Sequence, residues 1–271
     1  MDCSTFLSSP ANPIIKQALK LKSHRKYRTD YFSHDHEAGL IECCRERPSD
    51  IDHLIFAERY TTRDQFPTHI TQYIVPDSIF DTLSTLKLGP GVLGILKKPI
   101  WSISDSLSKS TVLSNFKKGF YLDHVNKPSN IGAIIRNAIA FNFDAVFLSP
   151  NCADPFHPES IRAMAGNCLK IPILMGSLLD IKNRIDGPLT CYGLTPHTET
   201  ELSDITPIEP FLFILGSESK GILSKTNETM IKNNIPFTPV KIPIVTIESL
   251  NVAATSAIVG YDLTTISQQK K

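Results

Sequence analysis

The six cysteines of this chain (Cys3, Cys43, Cys44, Cys152, Cys168, Cys191) contain no CxxC spacing and fall short of the density of a small disulfide scaffold. Reduced thiols in an intracellular protein are therefore expected. Long hydrophobic runs are missing too: no apolar stretch approaches the roughly 20 residues that cross a bilayer. The opening MDCSTFLSSP has an acid at position 2 and no apolar signal core, which speaks against secretion and for a cytoplasmic protein. The glycine-bracketed loop Gly216–Gly221 has neither GKS/GKT nor the GxGxxG spacing, so an enzyme built on phosphate-loop chemistry is disfavoured. Net charge is also scarce, at +1 over 271 residues.

What is present describes an ordinary globular chain. With 41% hydrophobic and 20% charged residues it can bury a sizeable core, in one large or two moderate domains. The charge is unevenly spread. Met1–Arg28 sums to +5 (six basic, one acidic) and Thr29–Tyr60 to −5 (three basic, eight acidic). Lys97–Arg136 returns to +5, with seven basic and two acidic residues. Two basic segments suit a localised polyanion contact, the plainer alternative being a solvated surface of uneven charge.

In chain order, Asn12–Leu21 reads as an amphipathic helix with Ile14, Ile15, Ala18 and Leu19 on one face. A basic and aromatic patch from His24 to Arg28 leads to Tyr31 and Phe32. A helix is expected over Ala38–Arg45, strands over Ile51–Phe56 and Gln72–Val75, a helix capped by Asp77 to about Leu86, and a strand over Gly91–Leu96. This alternation indicates a first α/β domain of roughly 100 residues. His34, His36, Cys43 and Cys44 lie close in sequence. Their spacing fits no standard zinc site and two would share one helix, so no metal is expected. The Ser-, Lys- and Thr-rich stretch Ile100–Lys118 reads as a linker.

Beyond it, strands are expected at Gly119–Leu122, Ala145–Leu148, Ile171–Leu174, Thr190–Leu194 and Phe211–Leu215. Helices are expected at Ile131–Phe141, after a Pro128-Ser129-Asn130 turn, and at Pro158–Gly166 and Leu178–Arg184. Such a pattern makes a parallel sheet with helices on both faces and a site at the strands' carboxyl ends. Three stretches carry chemistry. Arg136 lies on a mostly apolar helix, where it either snorkels to the surface or serves a site. Gly216–Gly221 (GSESKG) is a polar turn bracketed by glycines, whose Glu218 suits a hydroxyl, amino or cationic ligand better than a phosphate. Lys241–Tyr261 opens as a short strand ending at Pro243, turns, and enters a helix so apolar all round that burial is expected. Its start collects Glu248, Ser249 and Asn251, which are either caps or site residues.

Taken together, NKPSNIGAIIRNAIAFNFDAVFL, FLFILGSESKGIL and KIPIVTIESLNVAATSAI resemble the three ordered motifs of the SpoU (TrmH) family of SPOUT RNA 2′-O-ribose methyltransferases, over about Phe120 to Leu263. Arg162–Ile173 is similar to the family's intervening segment. The first half more loosely resembles the ribosomal-protein-L30e-like domain often fused in front. The resemblance implies an α/β protein. Residues 1–99 would be an L30e-like RNA substrate-binding domain, 100–118 a linker, and 119–271 a SPOUT methyltransferase domain with a deep trefoil knot around a parallel sheet. It implies S-adenosyl-L-methionine as cofactor, held near Leu215, Gly216, Gly221, Ile242, Pro243 and Leu250. It also implies a homodimer, and catalytic roles for Asn130, Arg136, Glu218, Ser249 and Asn251, with a buried Arg136 guanidinium aiming the sugar. The substrate implied is structured RNA, ribosomal before transfer RNA. A non-catalytic RNA-binding protein with a degenerate methyltransferase half is the rival reading. Here Pro243 to Ser249 lacks the glycine that the family usually carries, so the loop Ile244–Ile247 is expected to have its own shape.

Overall fold

Asn12 and Pro13 start the first helix. The Asn12 side chain accepts from Ile14 N–H at 2.9 Å, and Pro13 sits where a missing N–H costs nothing. The computed structural model describes residues 4–85, 89, 91–99, 113, 115–185, 187–217, 221–247 and 249–269. Helix α1 (Pro13–Ser23) buries Ile15, Ala18 and Leu21 and leaves Lys16 and Lys20 in water, as its periodicity predicts. The chain separates into two compact units, Met1–Pro99 with Asp154–Leu169, and Ile100–Ala153 with Lys170–Lys271.

In the first unit, strands β1 (Thr5–Phe6), β2 (Tyr31–His34), β3 (Ile51–Ala57), β4 (Gln72–Val75) and β5 (Val92–Lys97) form one mixed sheet in the order β1-β4-β3-β5-β2. Its core gathers Ile55, Val75, Leu93 and Ile95 under α1 and α3 (Asp77–Leu83). Helix α2 (Glu37–Glu46) accompanies them. One expectation needs correcting. Asp77 is the first helical residue and not the cap; its carboxylate instead accepts the Arg59 N–H at 3.0 Å. Tyr31 and Phe32, to which the basic patch leads and for which no element is expected, are residues of strand β2, and Phe32 is fully buried.

The second unit is built on six parallel strands: β6 (Lys118–Asp123), β7 (Ala145–Leu148), β8 (Ile173–Met175), β9 (Thr190–Leu194), β10 (Phe211–Gly216) and β11 (Phe237–Val240). Their order is β11-β9-β10-β6-β7-β8. Strands such as AVFL and FLFIL are apolar at successive positions because both faces of a parallel sheet are covered. Chain order reverses between β10 and β6, the place where open α/β sheets leave a crevice. Helix α4 (Pro128–Ala140) lays Ile131, Ile134, Ile135 and Ala138 into the core, and α8 (Val252–Gln269) packs on it. Gly260 permits that approach, since a Cβ there would stand 2.2 Å from the Phe141 ring. Helices α6 (Leu178–Lys182) and α7 (Ser224–Lys232) complete the unit.

The strand expected to end at Pro243 lies earlier, as β11; of its residues only Lys241 bridges, to Glu201. Helix α8 is not buried all round. Val252, Ser256, Val259 and Leu263 face inward, whereas Ala254, Ile258 and Tyr261 are exposed along one stripe. The expected linker Ile100–Lys118 falls mostly outside the described residues.

The segment Asp154–Leu169, with helix α5 (Pro158–Ala163), belongs to the first unit through specific contacts. The buried guanidinium of Arg28 donates through Nε to Asp154 at 2.6 Å. Arg162 donates to Thr85 Oγ1 at 2.7 Å, and Arg47 to the Leu169 carbonyl at 2.9 Å. Gly39 on α2 meets Gly166 backbone to backbone: a Cβ on Gly39 would stand 2.3 Å from the Gly166 Cα.

Candidate functional site

At the carboxyl ends of β9, β10 and β11 lies a cavity of about 1010 Å³. Its floor is Leu215 and Gly216, where β10 ends. Gly216 has no room for a side chain, because a Cβ would come within 2.1 Å of the Gly221 carbonyl carbon and 2.4 Å of Ile222 N. Ser217 and Gly221 close the following turn with two main-chain hydrogen bonds, 3.1 and 2.8 Å, and Gly221 takes a φ of +62°. The Asp123 carboxylate, fully buried at the end of β6, fixes the chain beyond that turn by accepting Leu223 N–H at 2.8 Å. Backbone groups and apolar side chains therefore make up much of the wall.

The third stretch folds over the other side. Ile242, Ile244, Ser249 and Leu250 line the cavity. Val245 and Ile247 are exposed between them, so the glycine-free loop keeps Ile244 inward and turns its next residues to solvent. Asn251 caps α8: its Oδ1 accepts from Ala253 N–H at 2.9 Å and Ala254 N–H at 3.3 Å. Its Nδ2 donates to Asn130 Oδ1 at 3.2 Å. Asn130 sits in the first turn of α4, where Pro128 at the first helical position sets the backbone. Two turns on, Asn137 donates to Ala253 O and Ser256 Oγ, both at 2.9 Å, and clamps α4 to α8. The cap reading of Asn251 thus holds, and the same side chain also ties the start of α8 to Asn130 on α4.

Of the expected cofactor residues, Leu215, Gly216, Gly221, Ile242 and Leu250 line the cavity; Pro243 is exposed and is not among the lining residues. Of the expected catalytic residues, Ser249 lines it, and Asn130 and Asn251 are joined beside it. Glu218 lies outside the described residues. Arg136 is exposed on α4, not buried. Sequence reasoning missed Thr195 and His197, which line the cavity just past β9. The rule that sites follow strand ends, applied to Leu194, would have found them. His124, directly after β6, is held in a left-handed turn (φ +58°) with Nδ1 2.8 Å from Asp123 and is not among the lining residues. Cys152 is no nucleophile here: it is buried, it donates to Leu122 O at 3.2 Å, and burial pushes its thiol pKa up.

Residues 119–261 match the model of the SpoU rRNA methylase family. The chain belongs to this family. Among curated relatives, the chain is 24% identical to the 23S rRNA (guanosine(2553)-2′-O)-methyltransferase RlmP of Bacillus subtilis, over 95% of this chain and 98% of that one. It is 25% identical to the 23S rRNA (uridine(2479)-2′-O)-methyltransferase of Streptomyces viridochromogenes, over 55% of this chain and 53% of that one. The fold matches the SpoU methyltransferase AviRb from Streptomyces viridochromogenes in complex with AdoMet, with a TM-score of 0.76 and 20% identity over 95% of this chain and 100% of that one. It also matches an rRNA methyltransferase from Sinorhizobium meliloti, with a TM-score of 0.77 and 20% identity over 97% and 98% of the two chains. The α/β architecture and the parallel sheet expected from the motifs are borne out, as is the family. No described helix is long and apolar enough to cross a membrane.

Proposed function

We propose that this SpoU family member transfers a methyl group from S-adenosyl-L-methionine to a ribose 2′-hydroxyl of ribosomal RNA. The observation that carries the reading is the Asn130–Asn251 hydrogen bond of 3.2 Å, which joins the first and third motifs beside the cavity that ends at Gly216. The residues present fit the cofactor. A side-chain-free cradle at Gly216 exposes main-chain groups to an adenine, and Leu215, Ile242 and Leu250 offer apolar walls to its faces. When bound, the sulfonium supplies an electrophilic methyl group.

The protein's task is then positioning, because displacement at a methyl carbon needs an in-line oxygen. Ser249 orients the hydroxyl and cofactor from the cavity wall, and the Asn130–Asn251 pair fixes the entrance of α8 next to it. Arg136 holds the neighbouring phosphate and stabilises the alkoxide that develops as the 2′-hydroxyl gives its proton to solvent water. A guanidinium has donors only, so it acts through charge and not as a plain base. Its exposure on α4 leaves it open to RNA.

Three further parts belong to the same reading. The segment after β11 would thread to form the knot. The exposed stripe Ala254, Ile258 and Tyr261 on α8 would be covered by a second copy, since an apolar helix face left in water marks an interface. The first unit would bind RNA, supported by Lys20 and Lys26 standing 5.5 and 5.0 Å over the Tyr27 ring. Ribose-methylation mapping of ribosomal and transfer RNA, with and without the chain, tests the reading. Loss of a single 2′-O-methyl in ribosomal RNA is expected. Loss confined to transfer RNA, or no loss at all, would refute it.

A further inference from the structure

Three side chains from distant parts of the sequence meet inside the first unit: His34 at the end of β2, Cys43 on α2, and Cys168 just beyond α5. All three are buried, and one imidazole nitrogen and the two Sγ atoms lie within 4.8 Å of one another. His34 Nδ1 already accepts the His36 N–H at 3.2 Å. Its Nε2 is buried and has no hydrogen-bond partner among the described residues. That nitrogen stands on the Gly39–Gly166 side of the ring, because a Cβ on Gly39 would come 3.1 Å from it. The Cys43 Sγ faces the same place, 4.0 Å from the Gly166 carbonyl oxygen. A buried polar atom without a partner is costly and calls for an explanation.

We infer that His34, Cys43 and Cys168 form a structural zinc site. Two thiolates and one imidazole are the soft, mixed donor set that zinc takes. The charge balance favours it over copper(I): a divalent ion with two thiolates and a neutral imidazole is neutral in a dry core, whereas a monovalent ion would leave a buried negative charge. A fourth donor would complete the tetrahedron. On binding, each thiol gives up its proton and the ion takes the Nε2 lone pair. The imidazole proton then resides on Nδ1, so the Asp35–His36 peptide must turn its N–H away and a hydrogen-bond acceptor must replace it. The ion would tie Cys168, on a segment far along the chain, to α2 and β2. The inference is independent of the methyltransferase reading.

Zinc measured by elemental analysis on the chain, purified reduced and without metal-affinity steps, is expected at about one ion per chain. The double variant Cys43→Ser/Cys168→Ser should drop this roughly tenfold or more, whereas Cys44→Ala, which removes a neighbouring buried thiol outside the cluster, should not. Two readouts on the unaltered chain stand even if the double variant fails to fold. Cobalt(II) added to the metal-free protein should give thiolate-to-metal charge-transfer absorption and a tetrahedral visible band, and zinc should move the His34 proton from Nε2 to Nδ1 in nitrogen NMR. A reduced chain that takes up neither zinc nor cobalt, or zinc content unchanged in a folded double variant, would overturn the inference. So would a Cys43–Cys168 disulfide in the purified native protein.

Discussion

Gly216→Ala is the most informative single change. The added Cβ would stand 2.1 Å from the Gly221 carbonyl carbon, 2.3 Å from its oxygen and 2.4 Å from Ile222 N. All three are backbone atoms, so no rotamer change relieves the clash. Restoring an ordinary contact of 3.4 Å requires the turn to retreat by 3.4 − 2.1 = 1.3 Å. That turn is closed by the Ser217–Gly221 hydrogen bonds and anchored by Asp123 through Leu223 N–H, so the retreat breaks or stretches several contacts at once. Overpacking of this kind costs about 1–3 kcal/mol. A displacement of about 1 Å in a positioned wall can cost on the order of 100-fold in function. Titration calorimetry with S-adenosyl-L-methionine should therefore show affinity down by roughly 10- to 100-fold. Gly221→Ala is the control: nothing lies within 4 Å of its added Cβ, so only the left-handed φ of +62° is penalised, at about 1 kcal/mol. Gly216→Ala binding the cofactor as tightly as the unaltered chain would refute the cradle.

Asn251→Asp keeps the oxygen that caps α8 but removes the donor to Asn130. Thermal stability should fall by less than about 0.5 kcal/mol, while methylation is largely lost; equal loss of both would make Asn251 a cap and nothing more. Arg136→Ala, at an exposed position, should abolish methylation with cofactor affinity and melting temperature unchanged, and parallel loss of binding would reject that division of labour. Asp154→Ala strands the buried Arg28 guanidinium; denaturant unfolding should show a loss of about 3–5 kcal/mol, against which an unchanged midpoint would count.

Legibility tracked whether the signal was local. Gln72–Val75, Ala145–Leu148 and Thr190–Leu194 are strands with the bounds expected, because apolar runs and turn chemistry frame each one. Strand β11 escaped because Pro239 lies inside it, and proline belongs only at sheet edges, which is where β11 sits. The motif residues Ser249, Asn251 and Asn130 could be named from the chain, since their types and order are written in it. How they meet was not, as the bond between Asn130 and Asn251 spans most of the second unit. Arg136 shows the limit most plainly: its apolar neighbours left snorkelling or a site role open, the resemblance implied burial, and the side chain is exposed because those neighbours occupy the other side of α4. The exposed stripe of α8 was equally hidden, because a run of Ala, Val and Ile does not say how many of its faces one chain can cover. Cys168 could not be paired with His34 and Cys43 from sequence, for nothing near it hints that its segment joins the first unit.

The decisive measurement incubates the purified chain with ribosomal RNA and methyl-labelled S-adenosyl-L-methionine, digests the RNA and separates the nucleosides. Label should appear in one 2′-O-methyl nucleoside and disappear with Asn130→Ala. Label on a base, or no transfer by a chain that binds the donor, would contradict the account.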